Sequence, residues 1–436
     1  LGIFAHAKCR RVRFFWSCYD RMIRLTNLSL TIAIALLALT PLAAQDASPQ
    51  PASPDAAAPR QIELIDVVKL PGDHPDRSGL DAELVPSGIP HNTFGGVSGI
   101  DYDARSGAYW VASDRGPDDG AENWSCRIHR LHIDAQPGRS QITLQETVLL
   151  KDPLGLVFSG SSQALNHDGQ SRRRLDPEGI RLFHDGIAVS DEYGPQLLRF
   201  DLAGNLKQAF QVPDFFKVNH PHQESDTERE ANATGRQPNR GMEGLGRSAD
   251  GQTLFGLMQS PLIQDSVPNP KGKRSGLLCR LIGFESSGQA CCQYAYELDD
   301  PSYKLNEILA IDETRFLTIE RDGKSGAKAR CKKIMLIDIS EATDIGNLPA
   351  LPADHLPPNV QPVKKSLFID LLDSRLELNR DEIPEKIEGL TWGPELEDGR
   401  RLLVVAVDND FELDQPTVFY LFAVNMPTSK ARPIQQ

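Results

Sequence analysis

Between residues 95 and 410 the chain repeats one pattern five times, which limits its fold more than any other feature. The segments are GGVSGIDYDARSGAYWVASDRG (95–116), DPEGIRLFHDGIAVSDEYG (176–194), NRGMEGLGRSADGQTLFGLMQSP (239–261), YKLNEILAIDETRFLTIERDG (303–323) and KIEGLTWGPELEDGRRLLVVAVDND (386–410). Each opens on a small or acidic residue and runs through a short strand to a turn rich in Asp and Gly. Each then ends in a strongly apolar strand with polar or charged residues at its tip. The aligned opening positions are Ser98, Glu178, Glu243, Glu307 and Glu388.

Two more strand-like runs follow the first hairpins: RIHRLHIDA and QITLQETVLL in the first repeat, QLLRFDLAG and NLKQAFQVP in the second, GLLCRLIGF and QACCQYAYEL in the third. Their alternation and turn residues are β signals without a helical period. Four strands per repeat make a propeller blade, so the fold class expected is all-β, a β-propeller of five blades. The last repeat supplies only a third strand, TVFYLFAVN (417–425), while QIELIDVVKLP (61–71) precedes the first. The N-terminal strand is therefore expected to complete the last blade and close the ring, which removes exposed sheet edges. The opening positions lie 80, 65, 64 and 81 residues apart. A bare blade takes roughly 40–50 residues, so long loops must decorate one face, and 152–175 or 340–385 leaves room for a sixth, irregular blade.

The first 44 residues read as targeting rather than fold. Arg21 and Arg24 precede an apolar run from Leu28 to Leu42, followed by small residues at Ala43 and Ala44. A fifteen-residue run falls short of the roughly 20 needed for a membrane span, whereas a basic start, a short apolar core and small residues suit a cleaved secretory signal. Export to a periplasmic or extracellular space is the expectation, with no stable membrane insertion once the leader is removed. An uncleaved anchor remains the alternative. Met22 offers a better start than Leu1, so 1–21 reads as an untranslated extension. A Pro/Ala-rich linker at 45–60, a single domain at 61–426 and a tail at 427–436 complete the division.

Residues 1–44 carry six of the 47 basic and one of the 60 acidic side chains, leaving 41 against 59 and a formal net charge of −18 in the remainder. Such a field repels phosphate backbones and anionic membranes, so nucleic acid is excluded as a partner and cations are favoured. Five cysteines follow the leader: Cys126, Cys279, Cys291, Cys292 and Cys331. They contain no pair at zinc spacing. Cys279 and the Cys291/Cys292 pair flank the turn GFESSGQ and could bridge across a hairpin, or stay free.

In a propeller the first strand of each blade lines the channel and starts at the face where the second strand ends. The opening residues are therefore expected to meet Asp114, Asp191, Glu192, Glu320, Asp408 and Asp410 around one mouth, with Arg115, Arg240 and Arg321 at the same level. Crowded carboxylates cannot all stay ionised without counter-charge. Oxygen ligands from several blades suit Ca²⁺, which takes about 6–8 of them, better than zinc. The expected metal ligands are Glu178, Glu243, Glu307, Glu388, Asp114, Asp191, Glu192, Glu320 and Asp408; no nucleotide or organic cofactor is expected. The competing reading is architectural: each Glu accepts backbone N–H groups of the next blade and locks the ring. Ser98, the one opening position that is not Glu, leaves room for a substrate. As a nucleophile it would need a base such as His91 or a histidine of the 217–240 loop. That loop, with His220 and His222, reads as a lid or an exposed insertion.

Taken together, GGVSGIDYD…YWVASDRG, DPEGIRL…IAVSDEYG, GMEGLG, NEILAID…FLTIERD and KIEGLTWG resemble the phytase-like family described as having esterase-like activity of phytase, over roughly residues 90–425. The resemblance implies an exported, typically bacterial β-propeller that hydrolyses ester or phosphoester substrates. Ser98 and Gln259 depart from a uniform acidic pattern, which favours a site spanning the blades that open at Glu178, Glu307 and Glu388. The leading expectation is a cation-assisted phosphoesterase acting on a small anionic or ester substrate. Glu178, Glu388, Arg115, Arg321 and Ser98 are its candidate catalytic residues, and Arg240 and Arg115 its substrate clamps. The alternatives are a non-catalytic binding propeller that uses the 217–240 loop, and a metal-independent carboxylesterase built on Ser98.

Overall fold

The computed structural model describes residues 61–165, 173–270 and 272–425; the leader, linker and tail expected at 1–44, 45–60 and 427–436 lie outside this set. Its strands form five four-stranded antiparallel sheets and one two-stranded hairpin. Strand β1 (Ile62–Leu70) precedes the first blade, β2 (Val97–Asp103), β3 (Ala108–Ser113), β4 (Arg127–Asp134) and β5 (Gln141–Leu149). The second blade is β6 (Pro177–Phe183), β7 (Gly186–Asp191), β8 (Gln196–Asp201) and β9 (Leu206–Ala209). The third is β10 (Met242–Arg247), β11 (Thr253–Met258), β14 (Leu278–Glu285) and β15 (Ala290–Glu297), with the hairpin β12 (Val267–Pro268) and β13 (Arg274–Ser275) inserted. The fourth is β16 (Lys304–Ala310), β17 (Arg315–Arg321), β18 (Lys332–Asp338) and β19 (Lys364–Asp370); the fifth holds β20 (Ile387–Glu395), β21 (Arg401–Val407) and β22 (Thr417–Val424).

Strand β1 pairs antiparallel with β22, from Ile62 opposite Val424 to Leu70 opposite Thr417, so the N-terminal strand completes the fifth blade as expected. The segments 152–175 and 340–385 hold no additional sheet among the described residues, since the strand β19 within the second belongs to the fourth blade, which makes the blade count five.

The apolar runs of the second strands follow from burial on both faces. In β3, Tyr109 and Val111 pack toward the fifth blade while Trp110 and Ala112 pack toward the second. In β21, Leu402, Val404 and Ala406 face the first blade, and Leu403, Val405 and Val407 face the fourth. With both faces covered, alternation vanishes and a continuous apolar run remains.

The innermost strands β2, β6, β10, β16 and β20 pack against one another around the ring. Each carries a register shift at its opening position: Val97/Gly99, Pro177/Ile180, Met242/Gly244, Leu305/Ile308 and Ile387/Gly389. A bulge of this kind bends the strand and re-aims a side chain. The glycine that follows has its own reason. A Cβ on Gly99 would lie 2.5 Å from Glu178 O, and one on Gly244 2.2 Å from Asn306 O, so neighbouring inner strands approach closely only where a side chain is missing.

Below these bulges the axis is plugged. Arg181 donates to the carbonyls of Ile100, Ile180, Ile308 and Leu390 at 2.6–3.3 Å, and pairs with Glu307 at 3.1 Å. One guanidinium thus ties four of the five blades together.

Of the two alternatives for the hairpin cysteines, a bridge or free thiols, the structure has the second. Cys279 lies opposite Tyr296 and Cys292 opposite Gly283, so the register places Cys279 and Cys292 far apart along the ladder, and all five described cysteines are free thiols.

Candidate active site

The bulges turn Glu178, Glu243 and Glu388 into the mouth, where one carboxylate oxygen from each lies within 4.8 Å of the others. Glu178 belongs to a second such group with Asp176 and Glu192, so one side chain joins two clusters. Strand geometry accounts for the membership. Residues two apart on a strand share a face, which brings Asp176, Lys304 and Lys386 beside Glu178, Asn306 and Glu388. The partner strands contribute the residues opposite these positions: Glu192 N bonds Asp176 O, and Asp408 N bonds Lys386 O; Arg321 lies across from Lys304.

Hydrogen bonding within the mouth is uneven. Asp176 accepts from Arg115 N and its guanidinium at 2.9 and 2.6 Å, and Glu192 from Arg115 at 3.1 Å. Glu388 accepts from Arg321 at 2.6 Å and Asn306 at 3.3 Å. Glu243 Oε1 accepts from Gln259 and Asn306, both at 2.7 Å, but its Oε2 is buried without a partner. Glu178 accepts no hydrogen bond from any described side chain or amide, although it is only 6% exposed. Burial, then Glu243, Asp176, Glu192 and Glu388, pushes the Glu178 carboxyl well above its ordinary range. Burial and the Glu192 charge do the same to Glu243, and burial and Asp408 to Asp114. Glu192 is raised by burial and Asp176, and Glu388 by burial and Asp408.

Cations do not match this charge. Asp114, Asp176, Glu178, Glu192, Glu243, Glu388, Asp408 and Asp410 stand against Arg115, Arg240, Lys304, Arg321 and Lys386. Lys386 is held by Asp408 at 2.8 Å and by Asp410. Arg115 is committed to Asp119, Asp176 and Glu192, and Arg321 to Asn306 and Glu388. The side chains of Arg240 and Lys304 form no hydrogen bond or ion pair with a described residue. Burial together with Arg321 and Arg240 lowers Lys304 to about 8. All donors in the two clusters are carboxylate oxygens, several of them unsatisfied, which fits a hard divalent cation.

Three expected ligands are turned away from the mouth. Glu307 accepts from Leu245 N at 3.0 Å and Ile308 N at 2.9 Å and pairs with Arg181, so it belongs to the plug. The bulge leaves both Asn306 and Glu307 between Leu305 and Ile308, and the apolar residue after the bulge shows that Asn306 is the equivalent of Glu178 while Glu307 takes the place of Gly179. Glu243, not Glu307, therefore completes the group with Glu178 and Glu388. Asp191 accepts from the amides of Asp176, Tyr193 and Gly194 and from Gln196. Glu320 accepts from Tyr296 Oη at 2.5 Å, Lys365 at 3.0 Å and Asp299 N at 2.8 Å. Each precedes by one residue the mouth-facing Glu192 or Arg321, and one step along a strand reverses the face.

Ser98 lies at the mouth, 5% exposed, and donates to Gly96 O at 3.3 Å. No described histidine hydrogen-bonds to it. His91 Nε2 accepts from Ser125 N, while buried His129 contacts Ser113 and Thr147. The 217–240 loop is tied internally, with Asn232 bonding Asn219 N, His220 N and O and Glu228 O and Arg236 pairing with Glu228. It is anchored outward by Arg236 Nε to Tyr193 O at 2.9 Å and Gly235 N to Gln264 Oε1 at 3.0 Å. It walls a cavity of about 350 Å³ together with Arg115, Arg174 and Tyr193. Asp176, Asn306, Lys304 and Lys386 were not expected from sequence, although Asp176 and Lys386 lie two residues before the opening positions Glu178 and Glu388.

A family model described as "Phytase-like: Esterase-like activity of phytase" matches residues 92–411. The chain belongs to the phytase-like family. Its members include this propeller with its acidic mouth, and the matched span runs from just before β2 to the loop after β21. An uncharacterized secreted protein of Arthroderma benhamiae is 30% identical over 291 residues, 51% of this chain and 56% of that protein, so the match spans little more than half of the relative's length. Among solved structures, Myxococcus xanthus glutaminyl cyclase overlaps 84% of this chain and 97% of its own at 9% identity and a TM-score of 0.36. The Cps50 (Swd1) β-propeller domain of Myceliophteria thermophila overlaps 76% and 97% at 11% identity and a TM-score of 0.33.

Proposed function

We propose that this phytase-like chain is an exported hydrolase of phosphoesters or other anionic esters, working with a divalent cation held by the mouth carboxylates. The observation that carries the reading is Glu178, a buried carboxylate without a hydrogen-bond donor that belongs to two clusters at once. Asp176, Glu192, Glu243 and Glu388 would share the cation with it. Bound calcium would neutralise phosphoryl charge and lower the pKa of an attacking water. Arg115 orients Asp176 and Glu192, Arg321 and Asn306 orient Glu388, and Gln259 orients Glu243. Arg240 and Lys304, the two uncommitted cations, are placed to take the anionic oxygens of the substrate.

Export is supported by the apolar leader and by the description of the Arthroderma relative as secreted. No described helix is long and apolar enough to cross a membrane.

The test is phosphate release from phytate by the folded chain, with calcium and again with a chelator, beside hydrolysis of a neutral aryl acetate. Calcium-dependent phosphate release is the expected result. Acetate hydrolysis that ignores the chelator and is lost in S98A would replace this reading by the carboxylesterase. Neither activity, from folded protein, would favour a binding propeller that uses the cavity under the 217–240 loop.

A further inference from the structure

Away from the mouth, Cys291 and Cys292 sit side by side on β15, the outermost strand of the third blade. Neighbouring residues on a regular strand point to opposite faces, yet these two sulfurs are 3.6 Å apart. The cause is a bulge. Gly283 pairs with Cys292 and Phe284 with Ala290, so Cys291 is the extra residue without a partner, and its side chain swings round to that of Cys292.

The strand opposite makes room for the pair. A Cβ on Gly283 would lie 2.5 Å from Cys292 Sγ and 3.2 Å from Cys291 Sγ, so any larger residue there would crowd both thiols. Solvent reaches the site, since Cys291 is exposed and Cys292 half-buried. Cys126, Cys279 and Cys331 are buried, with their sulfurs against the carbonyls of Leu175, Gln259 and Glu320.

We infer that Cys291 and Cys292 form a redox-modification site that closes to a disulfide between adjacent residues when a low-molecular-weight disulfide supplies the oxidising equivalents. Burial and the neighbouring Cys292 push the exposed Cys291 thiol up to about 12, so a small thiolate fraction attacks the small disulfide, forming a mixed disulfide and releasing one thiol. The Cys292 thiolate then attacks Cys291 Sγ, closing the ring and releasing the second thiol. Two protein thiols and one small disulfide become one protein disulfide and two small thiols, so electrons and protons balance. The bulge holds the second sulfur in place for the closing step.

The full chain carrying Cys9→Ser and Cys18→Ser, reduced and freed of reductant, is treated with oxidised glutathione, then followed by intact mass and by alkylation after denaturation. The expected product is lighter by two hydrogens, with Cys291 and Cys292 protected together and Cys126, Cys279 and Cys331 still alkylated. Cys291→Ser and Cys292→Ser each remove the ring and should stop at a glutathione adduct on the remaining thiol or stay unmodified. A lasting glutathione adduct on the wild-type chain, disulfide-linked dimers, or undiminished alkylation of Cys291 and Cys292 would overturn the assignment.

Discussion

The mouth and the plug both bury charge on the innermost strands, but they satisfy it differently. At the plug, Arg181 meets four carbonyls and Glu307, and Glu307 also accepts two backbone amides. Burial still pushes Glu307 up to about 7 against the pull of Arg181. Oε2 of Glu307 and Oε2 of Glu243 are both buried without a hydrogen bond, but the first lies 3.1 Å from Arg181. At the mouth, Glu243 and Glu178 form no ion pair with a described residue, and their carboxyls are driven further, well above the ordinary range. A buried carboxylate with a guanidinium partner ties strands of the ring together; one without a partner is where the proposed cation would be needed. The contacts of Glu307 suit the architectural reading of the glutamates, and those of Glu178 suit the cation site proposed above.

The largest expected effect breaks the plug. Arg181→Met leaves Glu307 and several carbonyls without their donor and should cost about 3–5 kcal/mol in denaturant unfolding. Its folded fraction should still bind calcium. The converse change, Glu178→Gln, should cut calcium-dependent phosphoester turnover by on the order of 100-fold or more, since even residues that only orient metal ligands cost up to that much. Its thermal stability should stay level or rise, because an uncompensated charge is removed. A turnover loss in Arg181→Met that exceeds its loss of folded protein would erase the distinction between the two regions.

Proton linkage separates them next. Glu178, Glu243 and Asp114 have folded pKa values above their unfolded ones. The folded state therefore keeps protons that the unfolded chain releases, and stability falls as pH rises from the ordinary carboxylate range toward the folded values. Metal-free protein should lose Tm as pH rises above the ordinary carboxylate range, and calcium should restore it at the higher pH with little effect at the lower. Glu307, raised to about 7, contributes to the same decline but should not respond to calcium. The smallest effect concerns the uncommitted cations. Arg240→Ala should raise KM for an anionic ester about tenfold, the loss of one charge-assisted contact, and leave a neutral ester unaffected.

Much of the ring was legible because both strand faces are buried and every repeat shows it. The closing strand at 61–71 was legible from the missing fourth strand at the C-terminus. The site was read less well, and the reason is the period of two. Aligning the fourth repeat on its glutamate made Glu307 the equivalent of Glu178, whereas aligning on the apolar residue after the bulge, Ile308 with Ile180, makes Asn306 the equivalent. The same one-residue step separates Asp191 from Glu192 and Glu320 from Arg321. Counting back two residues from Glu178 and Glu388 would have found Asp176 and Lys386, whereas Lys304 comes out only once the fourth repeat is realigned on Asn306. Sequence alone could not show that Arg115 and Arg321 are committed to carboxylates while Arg240 is not, because that depends on contacts between blades.

The most direct measurement is calorimetric titration of calcium into metal-free wild type and Glu178→Gln at a pH where the mouth carboxylates ionise. Binding by the wild type that is lost in the folded variant is the predicted result. Equal binding by both, or none by the wild type, would contradict the account and return Glu178 to the architecture of the ring.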